Sequence, residues 1–162
     1  MNLINKYDLI VIGSGPGGRR AAIQAAKFSK KVLVIEKNER VGGVSVHTGT
    51  IPSKTLRETA LNLSGWHERE FYGQSYRVKQ NITAADLKNR LHMTLDHEVE
   101  VLKHQFARNA VETLNGIARF VSPTTVDVEV DDGEVEQFSA EKFIIAVGTK
   151  PYRPKAVSYT HL

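Results

Sequence analysis

The sequence predicts an α/β domain on a parallel sheet, with a βαβ unit at its start, one long amphipathic helix and a small antiparallel β-meander. Three observations carry that prediction. Two apolar, β-branched runs, YDLIVI at residues 7–12 and KVLVIE at residues 31–36, flank a helical stretch, and the whole fits the roughly 30 residues of a strand–helix–strand crossover. Leu87, Leu91, Leu95, Val99, Leu102 and Phe106 recur at spacings of three and four, the period of a helix with one apolar face. Strand-like segments then crowd into residues 112–147, with Asp131-Asp132-Gly133 as a hairpin turn among them.

Each element has a local reason. The first strand stops at Gly13, and a helix over residues 16–28 opens on Pro16, whose missing N–H costs nothing in a first turn. Ala21, Ala22, Ala25 and Ala26 favour that helix, and the second strand follows at residues 31–36. Residues 38–50 are glycine-rich and expected to be irregular, while Pro52-Ser53-Lys54 opens a helix running to Leu63. Thr83, with Asp86 behind it, reads as the N-cap and acidic first turn of the long helix. Separate strands are expected at residues 112–120, 125–130, 134–138 and 142–147.

Composition narrows the chemistry. The 162 residues suit one domain and contain no cysteine, which excludes disulfides, thiolate zinc sites, iron–sulfur clusters and thiol nucleophiles. The net charge of +4 comes from scattered basic residues with no aromatic interleaving, which argues against a nucleic-acid partner. No apolar run approaches the roughly 20 residues that a bilayer needs, and Met1 lies too close to the first strand for a signal peptide. A cytoplasmic protein with no membrane partner is expected. His92, His97 and His104 do not share a helix face as a ligand pair would, so no metal site is expected. His47, Arg19 and Arg20 read as solvated groups, and Trp66 and Tyr72 as packing or surface aromatics.

Gly13-Ser14-Gly15-Pro16-Gly17-Gly18 fits G-x-G-x-x-G between a strand and a helix. Gly13 permits the tight turn, Gly15 lets backbone approach a pyrophosphate, and Gly18 lets the helix pack on the strand. Free N–H groups and the positive dipole end at the helix start then face the phosphates. Glu36, at the end of the second strand, stands where an acid accepts hydrogen bonds from an adenosine ribose and disfavours a 2′-phosphate. The ligand expected from these residues is FAD or NAD rather than NADP.

Residues 41–54, Val41-Gly42-Gly43-Val44-Ser45-Val46-His47-Thr48-Gly49-Thr50-Ile51-Pro52-Ser53-Lys54, resemble the active-site segment of the flavoprotein disulfide reductase family, the class I pyridine nucleotide-disulfide oxidoreductases. In that family two cysteines beside the flavin precede a Pro-Ser-Lys; here Ser45 and Thr50 hold their positions. The frame without the thiols, Gly49 to Lys54, Arg57 and residues 141–154 (EKFIIAVGTKPYRP) are similar to the transhydrogenase branch of the family, which lacks the pair.

The resemblance spans residues 6–156 and implies an FAD-binding, Rossmann-like domain of the glutathione reductase (GR) type. FAD would be bound by Gly13, Ser14, Gly15, Pro16, Gly17, Gly18, Glu36, Lys37, Gly42, Gly43, Thr48, Gly49, Thr50, Lys54, Gly116, Ala118, Ala146 and Gly148, with Lys54 the catalytic cation beside the flavin. NADPH would reduce the flavin and NAD would take the hydride. The rival readings are a lipoamide-dehydrogenase-like diaphorase without redox cysteines and a non-catalytic FAD-binding module. The resemblance further implies that the chain is the N-terminal segment of a longer homo-oligomer. NAD(P)-binding and dimerisation domains would follow, and the FAD domain would be incomplete and inactive alone. Residues 157–162 (VSYTHL) resemble one frame of a transposon-end adaptor and are expected to be a non-native tail.

Overall fold

The computed structural model describes residues 5–65, 83–130, 133–150 and 152. Trp66, Tyr72, Asp131, Asp132 and residues 157–162 lie outside these. The elements in chain order are β1 (Asn5–Ile12), α1 (Pro16–Lys27), β2 (Val32–Glu36), α2 (Gly43–His47), α3 (Thr50–Ser64), α4 (Ala84–Arg108), β3 (Glu112–Asn115), β4 (Ile117–Ser122), β5 (Thr125–Glu129) and β6 (Val135–Ile145). They form one mixed sheet in the order β3-β2-β1-β6-β5-β4.

The first four strands of that order are parallel. Ile10 of β1 pairs with Leu33 on one side and Phe143 on the other, and Val34 of β2 pairs with Thr113 of β3. Strands buried on both faces need near-continuous apolar sequence, as β1 and β2 have. Alternate residues then feed two cores. Leu9, Val11, Val32 and Val34 pack with Ala22, Val46, Val99, Leu102 and Phe106 on the helical side. Ile10, Leu33 and Ile35 pack with Val126, Val128, Phe138 and Ala140 on the other side. The meander of β4, β5 and the first half of β6 therefore covers the face opposite the helices, giving helices, parallel sheet and meander as three layers.

Tyr7 helps to fix the sheet's starting end. Its hydroxyl donates to Glu112 at 2.7 Å, and Lys31 lies 4.4 Å from its ring centre. Burial first, and then the Glu112 carboxylate, push the phenol well above its ordinary range.

Helix boundaries follow local chemistry in most places. Thr83 caps α4 as expected, its hydroxyl accepting from the Asp86 amide at 3.3 Å and its amide donating to the Asp86 carboxylate at 3.0 Å. Val99, Leu102 and Phe106 of the predicted stripe are buried, whereas Leu87, Leu91 and Leu95 are half-buried. Pro52 falls in the first turn of α3, where its nitrogen needs no partner, and Gly65 ends that helix in a left-handed conformation.

The structure corrects three element boundaries. The stretch 38–50 is not wholly irregular: α2 occupies Gly43–His47, and α3 begins at Thr50 rather than Pro52. Val46 is driven under the helical core, and that tertiary contact overrides the poor helix propensity of a valine-rich run. The strand expected at 112–120 is two strands at opposite ends of the sheet order, divided at Gly116. A Cβ there would lie 2.6 Å from Val128 Cγ1 and 2.7 Å from the Glu129 carbonyl oxygen. The strands expected at 134–138 and 142–147 are one strand, because Phe138 and Ser139 pair with β5 and with β1 together and the chain passes between partners without a break.

Among the described residues, no strand pairs with the free edge of β6 from Lys142 to Ile145, and Ile144, Ile145 and Val147 are exposed there. No helix of the described residues is long and apolar enough to cross a membrane. Phe106, on the inner face of α4 and 1% exposed, is the largest fully buried side chain among the described residues. Phe106→Ala is expected to lower stability by about 3–5 kcal/mol in urea unfolding, and Met93→Ala, on the exposed face of the same helix, by less than about 0.5 kcal/mol.

Candidate functional site

The turn after β1 is shaped by backbone against backbone. Gly13 adopts φ +104°, and a Cβ on it would run into the carbonyl oxygen of Ala146. One on Gly18 would run into the carbonyl oxygen of Gly13. Ala146 is held in place by its own amide, which donates to the Ile12 carbonyl at 2.8 Å. Gly13 and Gly18 are thus required by the protein itself. Gly15 and Gly17 are not, since a Cβ on either would meet no atom within 4 Å. No side chain caps α1, and its first helical bond runs from the Arg19 amide to the Gly15 carbonyl at 2.9 Å. The Gly17 and Gly18 amides ahead of it therefore have no helical carbonyl to bond.

Glu36 sits beside this turn at the end of β2, only 6% exposed. Its Oε2 accepts from the Ser14 amide at 2.9 Å and from the Ser14 hydroxyl at 2.6 Å. Its Oε1 accepts from the Asn38 amide at 3.1 Å and the Asn38 carboxamide at 3.0 Å. The Ser14 hydroxyl in turn accepts from the Gly42 amide at 2.9 Å. Burial disfavours the Glu36 carboxylate, but the bonds from Ser14 and Asn38 outweigh it and hold its pKa below the usual carboxylate range.

The second glycine turn abuts the first. Gly42 has φ +122° and Gly43 φ +62°, and a Cβ on Gly43 would lie 2.9 Å from Gly15 Cα. Gly116 joins the same cluster, its amide donating to the Glu36 carbonyl at 2.9 Å, and the half-buried Ala118 follows in the meander. Of the residues singled out from sequence, Gly13, Ser14, Gly15, Gly18, Glu36, Gly42, Gly43, Gly116 and Ala146 are therefore linked by contacts or hydrogen bonds. Lys37, Thr48, Thr50, Lys54 and Gly148 are exposed, and among the described residues no hydrogen bond ties them to the glycine turn.

Two residues behave differently from the sequence reading. His47 is half-buried at the end of α2, with its Nε2 2.9 Å from the Val41 carbonyl oxygen, so it braces the loop rather than standing in solvent. Asn38 is the other, a residue that the sequence does not mark. No periodicity marks it; the one signal is its place two residues beyond a strand-end acid. Ser45, at a position where the resembling family carries a cysteine, donates its hydroxyl to the Gly42 carbonyl at 3.1 Å. Among the described residues no group of three or more His, Cys, Asp or Glu could hold a metal ion.

The Glu36 network carries a pH dependence whose sign is fixed. The folded-state pKa lies below the unfolded value of about 4.3, so its stabilisation is fully present above that value and lost as pH falls through the folded one. Urea unfolding from pH 7 down to about pH 3 is expected to show stability falling in acid, and Glu36→Gln is expected to be less stable at pH 7 with a flatter acid limb.

A family model described as pyridine nucleotide-disulphide oxidoreductase matches residues 7–160. A protein of Mycobacterium tuberculosis (strain ATCC 25177 / H37Ra) named soluble pyridine nucleotide transhydrogenase is 48% identical over 158 residues, covering 96% of this chain and 34% of the relative. Proteins of the same name from Escherichia coli O9:H4 and Colwellia psychrerythraea are 41% and 39% identical over 155 residues, covering 96% of this chain and 33% of each relative. The chain thus spans about a third of the length of the curated relatives it matches. Matched over residues 7–160, the chain belongs to the pyridine nucleotide-disulphide oxidoreductase family.

Proposed function

We propose that this chain is the FAD-binding segment of an enzyme that transfers hydride from NADPH to NAD through the flavin, a reading supported by relatives that are named soluble pyridine nucleotide transhydrogenases. The observation that carries the reading is an open nucleotide turn joined to an active-site segment with no thiols. Gly15 and Gly17 leave unfilled space at the mouth of an uncapped helix, and Ser45 and Thr50 replace the pair that a disulfide reductase would need.

The residues present suit FAD. The Gly17 and Gly18 amides and the positive end of α1 would bind the pyrophosphate, and the absence of a side chain at Gly15 would let it approach the backbone. Glu36 would accept from the adenosine ribose, with Gly116 and Ala118 beside the adenine and Lys37 near the ribose. Gly42, Gly43, Thr48, Gly49 and Thr50 would line the rest of the cofactor, and Ala146 and Gly148 would close the turn over the phosphates. When bound, FAD supplies a two-electron carrier between the two nicotinamides.

Lys54, exposed in the second turn of α3 and without an ion pair among the described residues, would set a positive charge against the electron-rich flavin. Ser45 cannot relay electrons, and its hydroxyl is committed to the Gly42 carbonyl. That commitment disfavours a thiol-relay disulfide reductase and leaves direct nucleotide-to-nucleotide transfer as the simplest route. The whole protein, in this reading, is a cytoplasmic homo-oligomer, with the NAD(P) site and dimer contacts supplied by sequence beyond this chain.

Two measurements test the assignment. Gly15→Ala is expected to weaken FAD binding about tenfold or more in a flavin-fluorescence titration while leaving the melting temperature unchanged, whereas Gly13→Ala lowers the melting temperature itself. An unchanged affinity in Gly15→Ala would remove the phosphate site from this turn. The intact protein is expected to reduce thio-NAD with NADPH, unaffected by thiol-blocking reagents and with no activity on lipoamide or glutathione disulfide; the 162-residue chain alone is expected to catalyse no transfer. Robust disulfide reduction would overturn the transhydrogenase reading.

A further inference from the structure

A carboxylate offers about four lone-pair sites, and all four sites of Glu36 are taken by protein donors. A ribose diol cannot bind there without displacing one of them. The four donors are not equally replaceable. On Oε2, both bonds are buried, and the Ser14 hydroxyl also accepts from the Gly42 amide, so its departure would loosen two loops at once. On Oε1, both bonds are partly open to solvent, and Asn38 is an exposed residue.

The backbone of Asn38 is fixed on both sides. Its amide bonds to Glu36 Oε1, and its carbonyl accepts from the Asn115 carboxamide. Its own carboxamide is therefore the one donor to Glu36 that can leave by side-chain rotation alone, into water that replaces the lost bond. An unfilled site on a buried carboxylate is costly, which is why the rotation needs an incoming donor.

We propose that the Asn38 carboxamide is a displaceable stand-in for a ribose diol: it fills Glu36 Oε1 in the nucleotide-free protein and swings out when the diol donates there. The proposal rests on the assignment of this turn as the adenosine end of the FAD site. It makes Asn38 the residue that sets how much the ribose hydroxyls contribute to affinity. A ligand without them brings no donor to Glu36 and leaves the carboxamide on Oε1, so only a ligand with the diol has to displace it.

The test uses the intact protein carrying this chain, stripped of flavin, with FAD and an FAD analogue lacking both adenosine ribose hydroxyls as probes. Asn38→Ala keeps the backbone amide and removes the competitor. It is expected to bind FAD about three- to tenfold more tightly than the parent, the factor that one net hydrogen bond is worth. The analogue is expected to gain less than FAD, and the flavin-free variant is expected to melt below the parent. Asn38→Ser carries the same comparison if Asn38→Ala fails to fold. Unchanged or weakened FAD affinity, or an equal gain for FAD and the analogue, would overturn the stand-in while leaving the FAD site intact. A parent protein that binds no FAD would remove the site assignment itself, and the proposal with it.

Discussion

A carboxylate buried at the end of an apolar strand is the constraint on which the rest of the site depends. Residues 32–35 of β2 are fully apolar and the next residue is Glu36, so the sheet carries a charge into a region with little water. The charge is tolerable there only because donors come to it from both neighbouring segments. Ser14 reaches it from the loop after β1, and Asn38 from the loop after β2. Through the Ser14 hydroxyl the same network holds Gly42, and the Gly42-Gly43 turn is what sets Gly43 against Gly15. One acid therefore fixes the relative positions of two glycine turns, so the shape of the candidate site is set by the protein's own contacts.

Much of this was legible in the sequence, for a reason that differs between elements. Tyr7 to Ile12, the alanine-rich α1 and the run ending at Glu36 declare themselves by local composition, and the Thr83–Asp86 cap by local side-chain chemistry. The roles of Gly13 and Gly18 also follow from spacing, because a strand, a tight turn and a closely packed helix leave no room for other residues. The short α2, the break at Gly116 and the continuity of β6 depend instead on tertiary contacts. Nothing near residue 139 shows that one strand will change partners without turning. The bond from Ser14 to Glu36 escaped for a similar reason, since a hydrogen bond to a carboxylate 22 residues away has no periodicity to betray it, and Asn38 escaped because a loop residue two places beyond a strand end carries no pattern of its own.

The two faces of the parallel sheet divide the work between shape and chemistry. The helical face carries α1 and the loop region of α2, and its core is aliphatic apart from Phe106. The opposite face is closed by the meander, whose Val126, Val128 and Phe138 lock it to Ile10, Leu33 and Ile35. Gly116 lets the chain leave one edge of the parallel sheet and begin that cover within a single residue. The same passage brings the Gly116 amide onto the Glu36 carbonyl, so the structural crossover and the candidate adenosine end of the site are one feature.

The pairing of β1 also governs the order in which the molecule can be assembled. β1 is the N-terminal strand and the middle of the parallel sheet, yet one of its two partners, β6, is the last element of the described chain. A chain leaving the ribosome can form β1, α1 and β2 early, because their contacts are close in sequence. One side of β1 must then wait for Lys142 to Ile145 to emerge, and with them Ala146, the residue against which Gly13 and Gly18 are packed. The glycine turn, although encoded in the first 18 residues, is therefore completed only near the end of this segment's synthesis, and the candidate site and the closing of the sheet arrive in the same step.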